Sequence, residues 1–377
     1  MRRGKQKLGL YVHIPFCLKK CNYCDFLSFS GYDLKEQEQY IQALQKEMEA
    51  YNLKESDYTV DTIFIGGGTP SLLTESLTET ILKKIYDCFC IDKNVEVTIE
   101  CNPGTLTKQK LESYWRMGIN RLSIGCQSLN DAVLEFMGRI HTRDDFFKTY
   151  DTACCCGFEN INADLIFGVP GQSVQMFQQD VKEVLNLQPK HVSFYSLQIE
   201  EGTPFYEQYK AGKFNQVSDN DDRKMYHQTI EELDKNGYIH YEISNAAKRG
   251  YECRHNLKYW SMADYLGMGL GAHSYIKGVR FSNTRSMRDY LEGNYVETTH
   301  KNTRKDSISD YLFTGLRKIE GIDLTEFEKS FGEPIENLFG EVLRSFQERG
   351  LLEQGKSYLR FTKKGLDLSN TVLRELV

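Results

Sequence analysis

The stretch FCLKKCNYCDF, Phe16 to Phe26, places three cysteines within eight residues, directly after the apolar run LGLYVHIP. Cys17, Cys21 and Cys24 are spaced as CxxxCxxC. Structural zinc sites usually have four ligands in two separated pairs, whereas the thiolates of an iron-sulfur cluster commonly share one short loop. Three thiolates on a 4Fe-4S cluster leave one iron free for a small molecule. The spacing favours such a cluster, with a structural zinc site in a scaffold protein as the alternative.

The composition narrows the classes of protein to consider. The chain has 377 residues and a formal net charge of −6, which argues against a general binder of nucleic acid or anionic membranes, because both require a concentrated basic surface. No apolar run approaches the roughly 18 residues of a membrane span, and the start MRRGKQKLGLYV lacks the features of a secretory signal. We therefore expect a cytoplasmic protein whose eleven cysteines are reduced thiols or metal ligands.

Six short apolar segments are typical of buried parallel strands, because they are rich in β-branched and aromatic residues. They are residues 8–16, 62–68, 95–101, 121–127, 161–168 and 191–198. Stretches with helical periodicity and charged outer faces lie between them. This alternation predicts an α/β fold in which a parallel sheet of six βα units curls into a full or partial barrel.

The pattern changes after the sixth strand and again near residue 305. We expect a barrel core at residues 1–200, an extension of the barrel at 201–304 and a smaller C-terminal domain at 305–377. The last segment reads as helices followed by a short hairpin, which resembles a winged-helix layout. Acidic residues outnumber basic ones there, so a DNA-reading role gains no electrostatic support. We expect this domain to be a lid or a packing unit.

Polar groups follow or end five successive predicted strands. The three cysteines follow the first strand, GGGTP follows the second, Glu100 ends the third, Gln127 ends the fourth and Asp164 lies within the fifth. In a βα barrel the chemistry lies at the carboxyl ends of the strands. Packing alone does not explain this pattern, and we expect these residues to converge on one site.

The CxxxCxxC motif after a first strand, with Tyr23 before its last cysteine, resembles the signature of the radical S-adenosylmethionine (SAM) superfamily. The resemblance implies a partial barrel of that class in which Cys17, Cys21 and Cys24 hold a 4Fe-4S cluster. It implies that the open iron chelates SAM and that an electron, supplied by a donor, can cleave SAM to a 5′-deoxyadenosyl radical.

The resemblance also implies a SAM site. GGGTPS, residues 66–71, resembles the glycine-rich element of the superfamily, so Gly67, Gly68 and Thr69 would approach the amino end of SAM. Carboxylates and amides can bind ribose hydroxyls or an amino group, and a guanidinium can pair with the SAM carboxylate in bidentate fashion. Each residue alone could equally be a structural polar group, and no catalytic residue is assigned. The other implied SAM contacts are Tyr11, Tyr23, Glu100, Gln127, Arg139 and Asp164.

Longer stretches indicate a branch of the superfamily. YVHIPFCLKKCNYCDF, GGGTPS, IECNP, SIGCQS and DLIFGVPGQ resemble the family of oxygen-independent coproporphyrinogen III oxidases and related haem chaperones, over roughly residues 8–370. The oxidases carry a further cysteine two residues after the third cluster ligand and a long N-terminal extension. Here Phe26 occupies that position and few residues precede the first strand. Both features favour the chaperone branch, with oxidative decarboxylation in porphyrin biosynthesis as the alternative.

The stretch HNLKYW, His255 to Trp260, matches an HNxxYW motif linked to haem binding in the chaperone branch. A histidine can ligate haem iron and nearby aromatic rings can pack on the macrocycle. The resemblance therefore implies that His255 is an axial ligand, with His273 in GLGAHSY as a second candidate. Alternatively, His255 and Asn256 satisfy backbone groups in a turn while Tyr259 and Trp260 fill the core.

Taken with the resemblance, these features imply a haem chaperone that binds a 4Fe-4S cluster, SAM and haem and transfers haem to an apo-haemoprotein. Its expected partners are that acceptor and an electron donor, not nucleic acid. A respiratory acceptor would be membrane-bound, so a peripheral membrane contact is also considered. The run Cys154–Cys156 falls in a predicted helix, where neighbouring side chains diverge, and it receives no role.

Overall fold

The structure, a computed structural model, describes residues 5–376. The strands in chain order are β1 (Gln6–Ile14), β2 (Phe16–Cys17), β3 (Phe29–Ser30), β4 (Tyr58–Gly67), β5 (Ile91–Cys101), β6 (Arg121–Gln127), β7 (Ile161–Phe167), β8 (His191–Ser196), β9 (Ile239–Glu242), β10 (Asn245–Ala247), β11 (Tyr265–Met268), β12 (His273–Ile276), β13 (Val279–Asn283), β14 (Val296–Lys301), β15 (Ile322–Asp323), β16 (Leu352–Gln354) and β17 (Tyr358–Phe361). The helices are α1 (Leu34–Tyr51), α2 (Glu75–Cys88), α3 (Lys108–Arg116), α4 (Asp131–Phe136), α5 (Arg143–Cys155), α6 (Val174–Asn186), α7 (Pro204–Lys210), α8 (Asp219–Lys235), α9 (Arg254–Trp260), α10 (Met287–Leu291), α11 (Arg304–Gly315), α12 (Leu324–Phe331), α13 (Ile335–Glu348), α14 (Lys363–Asp367) and α15 (Ser369–Leu376). None of the helices in this range is long and apolar enough to cross a membrane.

One large sheet organises the first three hundred residues. Its twelve strands run in the order β14-β13-β12-β11-β1-β4-β5-β6-β7-β8-β10-β9. The strands from β11 to β8 are parallel to their neighbours, and antiparallel strands extend both edges. Within residues 5–376 the edge strands β9 and β14 do not pair with each other. The sheet is therefore an open, partial barrel.

The six predicted barrel strands are confirmed as β1, β4, β5, β6, β7 and β8. Helices follow each of the first five strands and pack on the outside of the sheet, as the alternating pattern predicts. A seventh parallel strand, β11, was not predicted. It covers four residues and pairs with β1, so that Gly9 lies opposite Tyr265. A strand this short carries little periodicity, and its pairing with a distant neighbour decides its conformation.

A buried carboxylate ties helix α1 to the strands added beside β1. Glu47 is fully buried and accepts hydrogen bonds from the backbone N–H of Gly269, the side chain of Asn283 and the hydroxyl of Tyr290. Burial raises the pKa of Glu47 to about 7, although these hydrogen bonds oppose the shift. The stability of this junction should therefore depend on pH.

Residues 304–376 contain a second hydrophobic core, separate from that of the barrel. Helices α11 to α13 precede a hairpin of β16 and β17, and β15 completes a three-stranded antiparallel sheet. This order confirms the predicted helical, winged-helix-like layout. Helices α14 and α15, which follow the hairpin, were not predicted. The domain limits at residues 200 and 304 stay predictions.

Candidate functional site

The carboxyl ends of the barrel strands surround a cavity of about 420 Å³. Most of the predicted site residues line it, as expected for side chains that follow parallel strands. These residues are Cys17, Cys21, Tyr23, Cys24, Gly67, Gly68, Thr69, Glu100, Gln127, Arg139 and Asp164. Tyr11 and His255 lie instead on a smaller chamber, closer to the amino ends of the strands.

The cysteine loop is held at its centre by Asn22. The backbone N–H of Asn22 donates to the carbonyl of Met137 at 2.9 Å, and its side-chain amide donates to the carbonyl of Phe136 at 2.8 Å. The three cysteines of this loop are free thiols and are partly exposed towards the cavity. The loop is thereby docked on the turn after helix α4, with its sulfur atoms directed at the site.

The arrangement of the thiols fits an iron-sulfur cluster better than a zinc ion. Among residues 5–376, no group of three or more His, Cys, Asp or Glu side chains is arranged to hold a single metal ion. A structural zinc site needs such a group, whereas each iron of a cluster takes one protein thiolate. Lys19 and Lys20 also line the cavity and would offset the negative charge of a thiolate cluster.

Two glycines at the end of strand β4 let the chain approach the cysteine loop closely. Gly67 has φ +117°, a conformation that side chains rarely adopt, and its N–H donates to Oε2 of Glu100 at 2.9 Å. A Cβ atom on Gly67 would lie 2.6 Å from the ring of His13, and one on Gly68 would lie 3.0 Å from Sγ of Cys17. A larger residue at position 67 or 68 would therefore displace this wall of the cavity.

Arg139 is held by four hydrogen bonds within the protein. Its Nε donates to Nδ1 of His141 at 3.3 Å, its Nη1 points at Sγ of Cys21 at 3.7 Å, and its Nη2 donates to Oδ1 of Asn102 at 2.7 Å and to the carbonyl of Gly125 at 2.9 Å. A guanidinium has five N–H groups, so one is left without these partners in the described chain. The predicted bidentate pairing with a SAM carboxylate needs two N–H groups, so Arg139 would have to give up one of its four present hydrogen bonds.

His141 is a neutral side chain that orients Arg139. Its Nε2 lies 3.1 Å from the carbonyl of Cys126, which can only accept, so Nε2 carries the proton and Nδ1 accepts from Arg139. Burial and, to a smaller extent, the charge of Arg139 lower the pKa of His141 to about 4. The imidazole thus stays neutral over the physiological pH range.

Glu100 and Asp164 are half-buried carboxylic acids with raised pKa values. Burial raises the pKa of Glu100 to about 7, and the nearby Asp164 contributes to the shift. Burial also raises the pKa of Asp164, against hydrogen bonds from Ser123 and Asn162 at 3.0 and 2.8 Å. Each carboxylate can bind a hydroxyl or a cationic amine of a ligand most strongly when it is ionised.

Gln127 offers an unused acceptor to this cavity. Its φ of +64° places a residue other than glycine in the left-handed region, at the end of strand β6. Its Oε1 atom is buried and has no hydrogen-bond partner within the described chain. An amino or hydroxyl group of a bound ligand would satisfy it, so the cavity fits a polar nucleoside ligand such as SAM.

A chamber of about 200 Å³ lies inside the barrel, between this cavity and helix α9. It shares Glu100 and Asp164 with the cavity above. Arg121 lines it and is almost completely buried, and no described residue accepts a hydrogen bond from its Nε. Tyr11 also lines the chamber, and its hydroxyl lies 2.9 Å from Nδ1 of His13. Tyr11, a predicted SAM contact, thus lies closer to the amino ends of the strands than the other predicted contacts do.

Helix α9, which carries HNLKYW, closes the amino-terminal end of the barrel. The carboxylate of Glu96 on strand β5 accepts from the backbone N–H groups of Arg254 and His255, both at 3.2 Å. Such a carboxylate satisfies the free N–H groups of a helix start and favours its dipole. A largely buried ion pair of 2.7 Å between Lys258 and Asp61 fastens the helix to strand β4.

The two candidate haem ligands differ in accessibility. His255 is 1% exposed, and its Nδ1 and Nε2 lie 2.9 Å from the hydroxyl oxygens of Thr62 and Tyr259. Both ring nitrogens therefore have partners, and burial lowers the pKa of His255 to about 3. His273 on strand β12 is exposed, and no described residue hydrogen-bonds its ring.

The comparisons with known proteins agree with this geometry. Residues 11–184 match the Radical SAM superfamily, and residues 302–368 match the HemN C-terminal domain. A Bacillus subtilis protein named Heme chaperone HemW is 36% identical over 96% of this chain and 97% of its own length. Proteins of the same name from Lactococcus lactis and Escherichia coli are 34% and 33% identical, each over 97% of this chain and over 96% and 97% of their own lengths.

The chain belongs to the HemW family. Membership of the radical SAM superfamily implies a 4Fe-4S cluster and SAM as cofactors. Among solved structures, coproporphyrinogen III oxidase (HemN) from Escherichia coli, a radical SAM enzyme, matches with a TM-score of 0.87 and 24% identity over 100% of this chain and 91% of that chain. This match shows that the HemW family chain has the radical SAM fold.

Two polar residues of this HemW family site, Asn102 and His141, were not predicted. Asn102 lies in IECNP, two residues after Glu100, and His141 lies two residues after Arg139. Asn102 lies within a motif that was singled out, but the roles of both residues depend on contacts across the barrel that no local pattern reveals. The run Cys154–Cys156 ends helix α5, with Cys154 and Cys155 exposed, and it does not line the cavity.

Proposed function

We propose that this protein is a haem chaperone that holds a 4Fe-4S cluster and SAM, binds haem and transfers it to an apo-haemoprotein. The observation that carries the proposal is the similarity to proteins named Heme chaperone HemW over nearly the full length of the chain. Position 26 supports it, because the oxidases have a cysteine where this chain has Phe26, a side chain that is 61% exposed beside the cavity.

In this proposal Cys17, Cys21 and Cys24 hold the cluster, and the groups facing the cavity bind SAM. Gln127 supplies an acceptor, Glu100 a carboxylate and Arg139 one N–H. When bound, the cluster and SAM supply one-electron chemistry. The glycines of GGGTPS keep the wall of the cavity close to the cysteine loop and leave space for the ligand.

The motif resemblance assigns the axial haem ligand to His255, and the contacts of His255 add a condition. Its ring nitrogens bond Thr62 and Tyr259, so haem iron can reach it only after helix α9 or one of these side chains has moved. His273 needs no such movement. His273 lies two residues after Gly271, and a Cβ atom on Gly271 would lie 2.6 Å from the side chain of Leu27. This part of the chain is therefore close to the segment that follows the cysteine loop.

A haem titration of anaerobically reconstituted protein tests the proposal. We expect a stoichiometric complex, which His255→Ala weakens at least tenfold while His273→Ala leaves it intact. Glu96→Gln should speed haem uptake, because it weakens the carboxylate cap that holds helix α9. Loss of binding in His273→Ala alone would move the ligand to His273, and absence of haem binding by the unaltered protein would refute the chaperone function.

The oxidase alternative is tested separately. The likeness to HemN at 24% identity shows a common fold only, and it gives no support to a common reaction. We expect that incubation with coproporphyrinogen III, SAM and dithionite under anaerobic conditions yields no decarboxylated product. Turnover at a rate that depends on Cys24 would instead establish the oxidase.

The proposed function includes two partners, an electron donor for the cluster and an apo-haemoprotein acceptor for the haem. An acceptor in the respiratory chain would bring the protein to a membrane surface. We propose that the protein contacts this surface peripherally. Co-sedimentation with phosphatidylglycerol vesicles tests it. Binding that increases when the haem-loaded protein is used would support a membrane-bound acceptor, and equal absence of binding with and without haem would count against it.

A further inference from the structure

Asn102 connects two side chains that point at the cysteine loop. Its Nδ2 lies 3.1 Å from Oγ1 of Thr69, and its Oδ1 lies 2.7 Å from Nη2 of Arg139. Oγ1 of Thr69 lies 3.5 Å from Sγ of Cys17, and Nη1 of Arg139 lies 3.7 Å from Sγ of Cys21. One amide thus stands between the donors to two of the three thiols.

The direction of each hydrogen bond follows from the chemistry of these groups. A guanidinium can only donate, so the amide oxygen of Asn102 must face Arg139 and its NH₂ group must face Thr69. The hydroxyl of Thr69 accepts from that NH₂ group, and its single proton is left for Sγ of Cys17. Asn102 therefore sets the direction of the hydroxyl as well as the position of the guanidinium.

Asn102 is itself fixed in the turn after strand β5. Its backbone N–H donates to Oγ of Ser71 at 3.1 Å, and its carbonyl accepts from Oγ1 of Thr105 at 2.7 Å. These contacts make the amide a rigid support, which a positioning role requires.

We propose that Asn102 is a positioning residue for the iron-sulfur cluster and that it keeps hydrogen bonds on the thiolates of Cys17 and Cys21. Hydrogen bonds to cluster sulfur tune the reduction potential. A hydrogen-bond donor stabilises the reduced cluster, because the reduced cluster carries one more electron. This network therefore raises the reduction potential of the cluster and favours uptake of an electron from the reductant. The inference rests on the proposed cluster and not on haem binding.

Asn102→Asp distinguishes the hydrogen bond that Thr69 makes to Cys17 from the one that Arg139 makes to Cys21. A carboxylate still accepts from Arg139, but it also accepts from Thr69 and so turns the hydroxyl proton away from Cys17. We expect a lower midpoint potential in a dithionite titration followed by electron paramagnetic resonance. The added charge also lowers the potential through space, so the shift must be measured again in a Thr69→Val background, where it should be at least twofold smaller.

A second pair of variants keeps the test decisive if Asn102→Asp cannot hold the cluster. Thr69→Ser retains the hydroxyl and should retain the potential, whereas Thr69→Val should lower it. Asn102→Ala should release iron to a chelator about tenfold faster than the unaltered protein, since loss of an outer partner weakens metal sites by this order.

The outcomes separate this inference from the proposed function. Iron and sulfide are counted first, and unaltered protein without a cluster would overturn both the cofactor assignment and the role of Asn102. A cluster whose potential shifts equally with Asn102→Asp in both backgrounds, or does not shift, would overturn the positioning role alone. Haem binding is measured on the same samples, and its loss in the unaltered protein would refute only the chaperone function.

Discussion

Nδ1 of His255 lies 2.9 Å from Oγ1 of Thr62, so the histidine of the HNLKYW motif is hydrogen-bonded to a strand of the barrel. The ring also stacks on Phe64, with 5.3 Å between centroids. The motif therefore closes the amino-terminal end of the barrel in this conformation. Any haem-dependent use of His255 has to disrupt contacts that also stabilise the fold.

The first prediction concerns the stability cost of removing His255. His255→Ala leaves the hydroxyls of Thr62 and Tyr259 without their partner and opens space beside Phe64. We expect a loss of about 3 kcal/mol in the free energy of unfolding, measured with urea. His273→Ala is the matched control on an exposed histidine and should change it by less than about 0.5 kcal/mol. Equal stability of the two variants would contradict the closing role of helix α9.

The second prediction concerns the cluster ligands. Replacing Cys17, Cys21 or Cys24 by serine should remove most of the iron bound after reconstitution, because serine lacks the thiolate that ligates iron. Cys155→Ser is the control, since that thiol is exposed at the end of helix α5. Iron and sulfide counts and the charge-transfer absorbance are the measurements. Retention of a full cluster by Cys24→Ser would exclude this ligand set.

The third prediction concerns the pH dependence of SAM binding. The pKa of Glu100 is raised to about 7 by burial, so the carboxyl group gains a proton as the pH falls through neutrality. The protonated acid attracts a cationic ligand less, and we expect SAM affinity to fall by up to about tenfold per pH unit below 7. Glu100→Gln should bind more weakly at pH 8 and should flatten the profile. An unchanged profile in this variant, measured by equilibrium dialysis, would remove Glu100 from the SAM site.

The fourth prediction concerns Glu47 and the pH dependence of stability. Its folded-state pKa of about 7 exceeds the ordinary value of 4.5, so the folded protein holds this proton more tightly than the unfolded chain does. Stability should therefore fall as the pH rises from about 4.5 to about 7, by about 3 kcal/mol from this group. Glu47→Gln removes the titration but perturbs the bond from Asn283. Its stability deficit should thus shrink at higher pH, and a deficit that is constant between pH 5 and pH 8 would refute the assignment.

The barrel and the cysteine site were predictable because local sequence patterns indicate both of them. Each of the six predicted barrel strands contains a short apolar segment, and the cysteines that follow the first segment are four residues apart and then three. The convergence of Glu100, Gln127 and Asp164 followed from the geometry of parallel strands.

Other features depended on pairing across the fold. Strand β11 has four residues and is defined by its ladder with β1, and the site of helix α9 is set by Glu96, which is 158 residues away from Arg254. The role of Asn102 depends on Thr69 and Arg139, which lie on different turns. Periodicity and spacing do not report such contacts.

The most direct test of the cluster and SAM assignment is anaerobic reconstitution followed by iron and sulfide counting and electron paramagnetic resonance with and without SAM. We expect about four irons and four sulfides per chain and a reduced-cluster signal that changes when SAM is added, because one iron has no protein ligand. Protein that holds zinc without sulfide, or a cluster whose signal is unaffected by SAM, would contradict it.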